Sequence, residues 1–168
     1  MKMHLIALLA VSFFPSLVAA QDQQTESLKL LPPNVRAHLD KKYAGWKFSP
    51  AAGNTIAHCD KESKSHPSAA SADFNGDGKA DYAVKIVHGN KVLVLEFLSR
   101  NNTFSESLLF SGSANKLLGT ALQVERKGKP TAVGTVERVD GLLISDCESV
   151  PLRYLFSNGR VRDLSPRD

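Results

Sequence analysis

The sequence predicts an α+β fold in which an N-terminal amphipathic helix packs on a mainly antiparallel β-meander, with one strand-flanked calcium loop. Three observations support this class. Only one stretch shows a clear helical repeat of apolar residues, the chain after residue 81 consists of short β-rich segments, and those segments follow one another without intervening helices. Such an order favours antiparallel pairing over a parallel βαβ arrangement.

The helix is predicted near the start of the chain after the first twenty residues. Apolar residues recur every four positions, at Leu31, Val35, Leu39 and Tyr43. Residues four apart lie along one side of a helix. Pro32 and Pro33 suit the first turn, and Gly45 suits the position just after the last turn.

Two strands are predicted at residues 82–88 and 91–98, and Gly89-Asn90 between them favours a tight hairpin turn. Residues 46–48 also show strand-like alternation. Most of residues 49–71 is rich in Ala, Ser, Lys and Pro and is predicted to be loop, with a possible short strand at 56–59. The further strand candidates are 105–110, 121–125, 131–136, 142–145, 152–156 and 161–164.

The first twenty residues have the pattern of a secretory signal peptide. Lys2 is basic, residues 5–14 form an apolar run, Pro15 interrupts it, and Val18-Ala19-Ala20 offers small residues for cleavage. A membrane anchor is the alternative, but a spanning helix needs about 20 apolar residues. We therefore expect residues 1–20 to be removed and residues 21–168 to form a single exported domain, periplasmic or extracellular, with no membrane attachment.

Charge and cysteine content limit the remaining possibilities. The formal net charge is only +4, and the densest basic group, residues 126–129, is typical of a turn between strands, so no nucleic-acid partner is expected. Cys59 and Cys147 are the two cysteines, and an exported protein passes through an oxidising compartment. A disulfide between them is the favoured interpretation, and two buried free thiols are the alternative.

The segment that carries recognisable chemistry lies between residues 73 and 81. Counted from Asp73 as position one, oxygen donors fall at alternate positions: the side chains of Asp73, Asn75, Asp77 and Asp81 and the backbone carbonyl of Lys79. Five hard oxygen donors of this kind suit Ca²⁺, which takes six to eight such ligands in a flexible shell. Gly76 and Gly78 allow the chain to bend tightly around an ion. An ordinary Asx-rich turn is the alternative.

The flanks of this loop distinguish it from an EF-hand, which requires a Glu at position twelve and a helix on each side. Position twelve here is Val84. The stretch from Ala72 to Val84 resembles the calcium loop of FG-GAP/VCBS repeats, and this resemblance implies Ca²⁺ as the cofactor and the five donors above as its ligands. Since the chain has one such loop, the resemblance does not imply a propeller. Residues 140–148 and 154–160 are similar to the ends of small exported bacterial proteins that hold a single loop of this kind.

No catalytic constellation is evident. The histidines at 38, 58, 66 and 88 are not grouped with a nucleophile, and the local cluster of His58, Cys59, Asp60 and His66 is more typical of a polar loop. Tyr43, Trp46 and Phe48 are either core residues or a binding platform. The sequence therefore favours a non-catalytic binding or interaction module with a protein or glycan partner. The alternative is a small periplasmic hydrolase, or an inhibitor of an enzyme, using Asp146 and Glu148.

Overall fold

The computed structural model describes residues 24–49, 68–101, 103–128, 138–145, 151–157 and 160–164. Helices and antiparallel sheets occur together in these residues, which confirms the α+β class. Several predictions lie outside the described residues: the signal peptide at 1–20, Cys59 and Cys147, the strands at 56–59 and 131–136, and the acidic pair at 146 and 148. No helix among the described residues is both long enough and apolar enough to cross a membrane.

The helices lie at the start of the described chain and the strands follow them. Helix α1 covers residues 24–30 and helix α2 covers Pro33–Lys42. The strands are β1 (Lys47–Phe48), β2 (Ala69–Ala72), β3 (Asp81–His88), β4 (Lys91–Arg100), β5 (Thr103–Ser113), β6 (Ala121–Glu125), β7 (Gly141–Ser145), β8 (Leu152–Ser157) and β9 (Arg160–Asp163).

Helix α2 forms where the apolar repeat predicts it. Pro32 precedes it in an extended conformation and Pro33 occupies its first turn, where the missing N–H of proline costs nothing. The helix ends at Tyr43, and Gly45 follows with a φ of 77°. Val35 and Leu39 are buried on the side that faces the sheet.

The first sheet has the order β1-β3-β4-β5, and β2 also pairs with β3. The predicted hairpin is present: β3 pairs with β4 from Tyr82↔Phe97 to His88↔Lys91, and Gly89 in the turn has a φ of 59°. Most of residues 49–71 was expected to be loop, and the loop at 73–81 was expected to be flanked by strands. The strand before that loop is β2, which pairs with β3 from Ala69↔Val84 to Ala72↔Asp81. Its small residues have little β propensity, so tertiary pairing produces this strand.

The second sheet contains β6, β7, β8 and β9 in sequence order, each paired antiparallel with the next. The strands after Asp81 therefore divide into two sheets rather than forming one continuous meander. The division falls in the turns between Ser113 and Ala121, which connect β5 to β6.

Two apolar clusters cover opposite faces of the first sheet. One lies between the sheets and joins Ala83, Val94 and Leu98 to residues of the second sheet such as Leu122 and Ile144. The other lies on the helical side, and its buried residues are Leu31, Val35, Leu39, Phe48, Ala69, Val84, Ile86, Leu93, Leu95 and Phe97. Strands β3 and β4 are thus buried on both faces, which explains their nearly continuous apolar sequence.

A polar cluster joins helix α2 to β5 at the border of the helical core. The Glu106 carboxylate accepts hydrogen bonds from Tyr43 Oη and from Lys42 Nζ, and His38 Nε2 lies within hydrogen-bond distance. Burial alone would raise the pKa of Glu106, but the hydrogen bonds from Tyr43, Lys42 and His38 together hold the pKa below its usual value. The ionised carboxylate is therefore the form that the fold stabilises.

The buried lysine Lys85 lies on the opposite face of the first sheet. Its Nζ donates to the carbonyl oxygen of Thr120 and lies 3.3 Å from Thr120 Oγ1 and 3.4 Å from the Leu117 carbonyl oxygen. Burial lowers the pKa of Lys85 to about 7. This side chain connects β3 to the turn that precedes the second sheet, and burial favours its neutral form.

We expect the substitution Glu106→Gln to lower the free energy of unfolding by about 1 to 2 kcal/mol at neutral pH, because it weakens hydrogen bonds to a charged acceptor whose cationic partners are half-exposed. Since the folded-state pKa of Glu106 is lowered, its contribution is present above the unfolded pKa and is lost as the pH falls through the folded pKa. Urea unfolding at neutral and acidic pH measures both effects. If Glu106→Gln lowered the free energy of unfolding equally at both pH values, the lowered pKa of Glu106 would be contradicted.

We expect the stability of the wild type to rise relative to Lys85→Met between about pH 7 and pH 10. Over this range the unfolded chain binds the Lys85 proton more tightly than the folded chain, because the folded-state pKa is lowered. The relative gain approaches about 1.4 kcal/mol per pH unit at its steepest. Denaturant titrations across this range test it, with the exposed Lys91→Met as control. Parallel pH profiles of wild type and Lys85→Met would disprove a lowered pKa.

Candidate metal centre

The loop predicted to bind calcium connects β2 to β3 and lies where the two sheets meet. Phe74 is buried in the inter-sheet core and fixes the first part of the loop, while residues 76–80 are exposed. Gly76 and Gly78 have φ values of 78° and 79°. These are left-handed conformations that favour glycine, so the chain bends at the two positions expected from the sequence.

Asp73 begins the loop and divides its two carboxylate oxygens between different environments. Its Oδ2 accepts a hydrogen bond from the backbone N–H of Gly78 at 3.2 Å. Its Oδ1 is buried and has no hydrogen-bond partner in the part of the chain that the structure describes. Leaving a buried carboxylate oxygen unsatisfied is unfavourable, because the oxygen loses its hydration without replacement. Of the loop oxygens, this one has the clearest capacity to bind a cation.

Asn75 and Asp77 form the exposed turn of the loop. The amide oxygen of Asn75 accepts from the Asp77 N–H at 2.9 Å, and Asp77 Oδ1 accepts from the Lys79 N–H at 2.9 Å. Each is a local side-chain to backbone bond of the kind that Asn and Asp make in turns. A carboxylate has about four acceptor sites, so Asp77 retains capacity for further partners.

Asp81 ends the loop and is fully buried at the start of β3. Its Oδ1 accepts from the Ser99 N–H at 2.6 Å and its Oδ2 accepts from the Asn75 N–H at 3.1 Å. Burial raises the pKa of Asp81, and these two backbone hydrogen bonds oppose the rise. Asp81 therefore connects the end of the loop both to the end of β4, through Ser99, and to the first part of the loop, through Asn75.

The second sheet supplies a fourth carboxylate beside the loop, which the sequence did not predict. Asp140 is buried, and its Oδ2 lies 3.4 Å from the Asp73 N–H nitrogen, while the Asp140 N–H donates to the Asp73 carbonyl oxygen at 3.4 Å. Arg126 Nη1 and the Lys127 N–H also donate to Asp140, at 3.0 and 2.9 Å. The loop is thus attached to both sheets.

A polar cleft of about 520 Å³ opens beside the loop. Asn75 and Asp77 form part of its lining, together with residues at the end of β4 and on β5: Leu98, Ser99, Arg100, Ser105 and Ser107. The volume lies within the range of small-ligand sites. Ser99 Oγ also lies 3.3 Å from Asp77 Oδ2, so one wall of the cleft is formed by the candidate ligands themselves.

The loop contains the four predicted side chains and the Lys79 backbone within nine consecutive residues. Among the described residues, however, no three Asp, Glu, His or Cys side chains approach one another closely enough to hold a metal ion in the conformations observed. Asn75 and the Lys79 carbonyl are additional donors of the loop. Ion binding would therefore require carboxylates such as Asp77 to turn from backbone N–H groups towards a common centre.

The other residues that the sequence indicates as site candidates make packing contacts or structural hydrogen bonds where the structure describes them. Trp46 and Phe48 stack edge to face with ring centroids 5.0 Å apart, and Trp46 Nε1 donates to Asp40 at 2.8 Å. Tyr43 donates to Glu106. These contacts support the core interpretation of the aromatic residues. His58 and its neighbours, and Asp146 with Glu148, lie outside the described residues.

Glu96 is a buried acid close to the loop that sequence analysis missed. It lies on β4 and is paired with Ala83, and its Oε2 has no hydrogen-bond partner within the described ranges. Burial, followed by the charge of Asp81, raises the pKa of Glu96 to about 7. Its only signal in the sequence is that it is the one polar residue between Val92 and Leu98.

Comparison of the chain with family models, curated proteins and solved structures finds no match.

We expect Gly76→Ala to destabilise the protein more than Gly78→Ala, although both residues have nearly the same φ. An alanine in the left-handed region costs about 1 kcal/mol at either position. At Gly76 the new Cβ would also lie 2.9 Å from Val139 Cγ1, whereas at Gly78 it meets nothing within 4 Å. Urea unfolding in excess chelator measures the difference, expected to be about 1 kcal/mol or more. Equal destabilisation would show that the loop does not pack against Val139.

Proposed function

We propose that this chain is an exported, non-catalytic binding module whose loop from Asp73 to Asp81 holds one Ca²⁺ ion. The observation that carries the proposal is the buried Oδ1 of Asp73, which has no hydrogen-bond partner among the described residues, in a loop whose sequence holds four further oxygen donors. A cation would satisfy this oxygen and offset the repulsion among the loop carboxylates.

The donor set supports calcium in preference to other ions. Asp73, Asn75, Asp77, Asp81 and the Lys79 carbonyl are all hard oxygen donors. Mg²⁺ demands a tighter octahedron and gives up its waters reluctantly, and transition metals favour imidazole or thiolate ligands, which the loop lacks. When bound, the ion would supply charge neutralisation and crosslink the loop.

The position of the loop indicates why such an ion would stabilise the fold. Asp81 connects the loop to β4 through Ser99, and Asp73 connects it to the second sheet through Asp140. An ion shared by Asp73 and Asp81 would therefore strengthen the junction between the sheets. We propose the adjoining cleft as the surface for a protein or glycan partner, because its serine hydroxyls and Arg100 offer polar contacts.

The proposal of export depends on the first twenty residues. Their basic start, apolar run and small residues before position 21 match a cleavable signal. Extracellular calcium modules bind with dissociation constants of about 10⁻⁴ to 10⁻³ M, so a weak site of this kind would still be filled where calcium is plentiful.

We expect about 10 mM Ca²⁺ to raise the midpoint of thermal unfolding of residues 21–168 by roughly 5 to 10 °C relative to excess chelator. This estimate follows from binding to the folded state alone with the affinity given above. Asp77→Ala should lose most of this increase, because it removes one of the loop donors. In chelator the variant should remain close to the wild type, since it also removes a repulsive charge.

Two control measurements test whether the thermal stabilisation is specific to calcium and to the loop. Mg²⁺ at the same concentration should raise the midpoint far less than Ca²⁺. Glu26→Gln removes one negative charge from an exposed residue that pairs with Lys29, far along the chain from the loop, and it should keep the full calcium response. A wild-type midpoint that is the same in calcium and chelator would overturn the proposal.

A further inference from the structure

The densest group of basic residues in the sequence is Arg126-Lys127-Gly128-Lys129, and its described part, residues 126–128, follows β6. The structure brings part of it against the candidate calcium loop. Lys127 Nζ lies 3.7 Å from Asp73 Oδ2, and Arg126 Nη1 lies 3.0 Å from Asp140 Oδ2. The loop that we propose to hold a divalent cation therefore has a positive side chain next to its first carboxylate.

We infer that Lys127 is a tethered counter-cation of the loop, which competes with Ca²⁺ for Asp73 and lowers the calcium affinity of the site. This inference rests on the proposed function and deepens it, because it names the residue that sets the affinity. It also gives a role to a basic group for which no nucleic-acid partner is expected.

The geometry assigns Lys127 a competing role rather than a positioning role. The distance of 3.7 Å is longer than the 2.7 to 3.2 Å or so of an N–H···O hydrogen bond, and 56 % of the Lys127 side chain is exposed. Asp73 is already oriented by the Gly78 N–H, and the backbone of Lys127 is held separately by Asp140. The ammonium group therefore contributes charge to the site and little orientation.

The two oxygens of Asp73 explain how the competition operates. Oδ1 is unpartnered and available to an ion, while Oδ2 faces the lysine. A bound ion and the ammonium group would share one carboxylate and repel each other across it. In a dielectric close to that of water, this repulsion corresponds to a change in Kd of about 3- to 10-fold. Because Lys127 is largely exposed, it can move away when the ion binds.

The test is a calorimetric titration of residues 21–168 with CaCl₂. We expect Lys127→Gln to lower the Kd for calcium about 3- to 10-fold, and we expect the difference from wild type to shrink as salt is added. Lys127→Arg keeps the charge and should bind like the wild type. Lys91→Gln removes one positive charge at the opposite end of β4 from Ser99 and should also bind like the wild type.

The outcomes separate this inference from the proposed function. If the wild type binds calcium and Lys127→Gln binds with equal or weaker affinity, the inference is overturned and the proposed function stands. If neither binds calcium, both are overturned. Thermal unfolding in chelator verifies that each variant is folded, and Lys127→Met provides a second neutral substitution with the same expected result.

Discussion

The pairing of β3 with β4, covered on both faces, is the constraint on which the rest of the structure depends. Seven registered residue pairs join the two strands, from Tyr82↔Phe97 to His88↔Lys91. Helix α2 covers one face and the second sheet covers the other. Each layer therefore buries its apolar surface against the same two strands, and neither cluster would be complete without them.

This arrangement also determines where charge is buried. Lys85 and Glu96 both lie on the face towards the second sheet, since Lys85 pairs with Val94 and Glu96 with Ala83. Burial moves the pKa of each towards neutrality from opposite directions. Lys85 is satisfied by carbonyl oxygens of the turn before β6, whereas Glu96 Oε2 has no hydrogen-bond partner among the described residues. The apolar interior between the sheets thus also encloses two ionisable side chains.

The parts of the fold that depend on local sequence were predictable. Helix α2, the β3–β4 hairpin and the loop from Asp73 to Asp81 all follow from residue spacing within a short stretch. A strand-flanked loop was expected, but the bounds and pairing of β2 were not, because its Ala and Ser residues have little strand preference without β3 beside them. The division into two sheets was missed for a related reason: the turns before β6 resemble those of a continuous meander.

The candidate site likewise contains residues that the sequence indicates and residues that it does not. Its glycines and its oxygen donors are contiguous in sequence, so their order alone indicates them. Asp140, Lys127 and Ser99 reach the loop through tertiary contacts, and no local pattern distinguishes them from other polar residues near strand ends. In the sequence, Glu106 is one of several polar residues of a predicted strand. Nothing there indicates that its side chain contacts Tyr43 at the end of helix α2. Long-range polar contacts need the register of the strands before they can be assigned.

Burial of β3 and β4 on both faces has a consequence for how this sequence can change over time. On an ordinary two-layer sheet, every second residue faces water and can vary freely, but here a volume change at Ile86 alters one core and a change at Val94 alters the other. We therefore expect substitutions to be accommodated most readily on the outer face of α2, in β5 and in β9, whose residues are at least partly exposed where their burial is described. Within the described residues, the central hairpin leaves the least room for a change in side-chain volume.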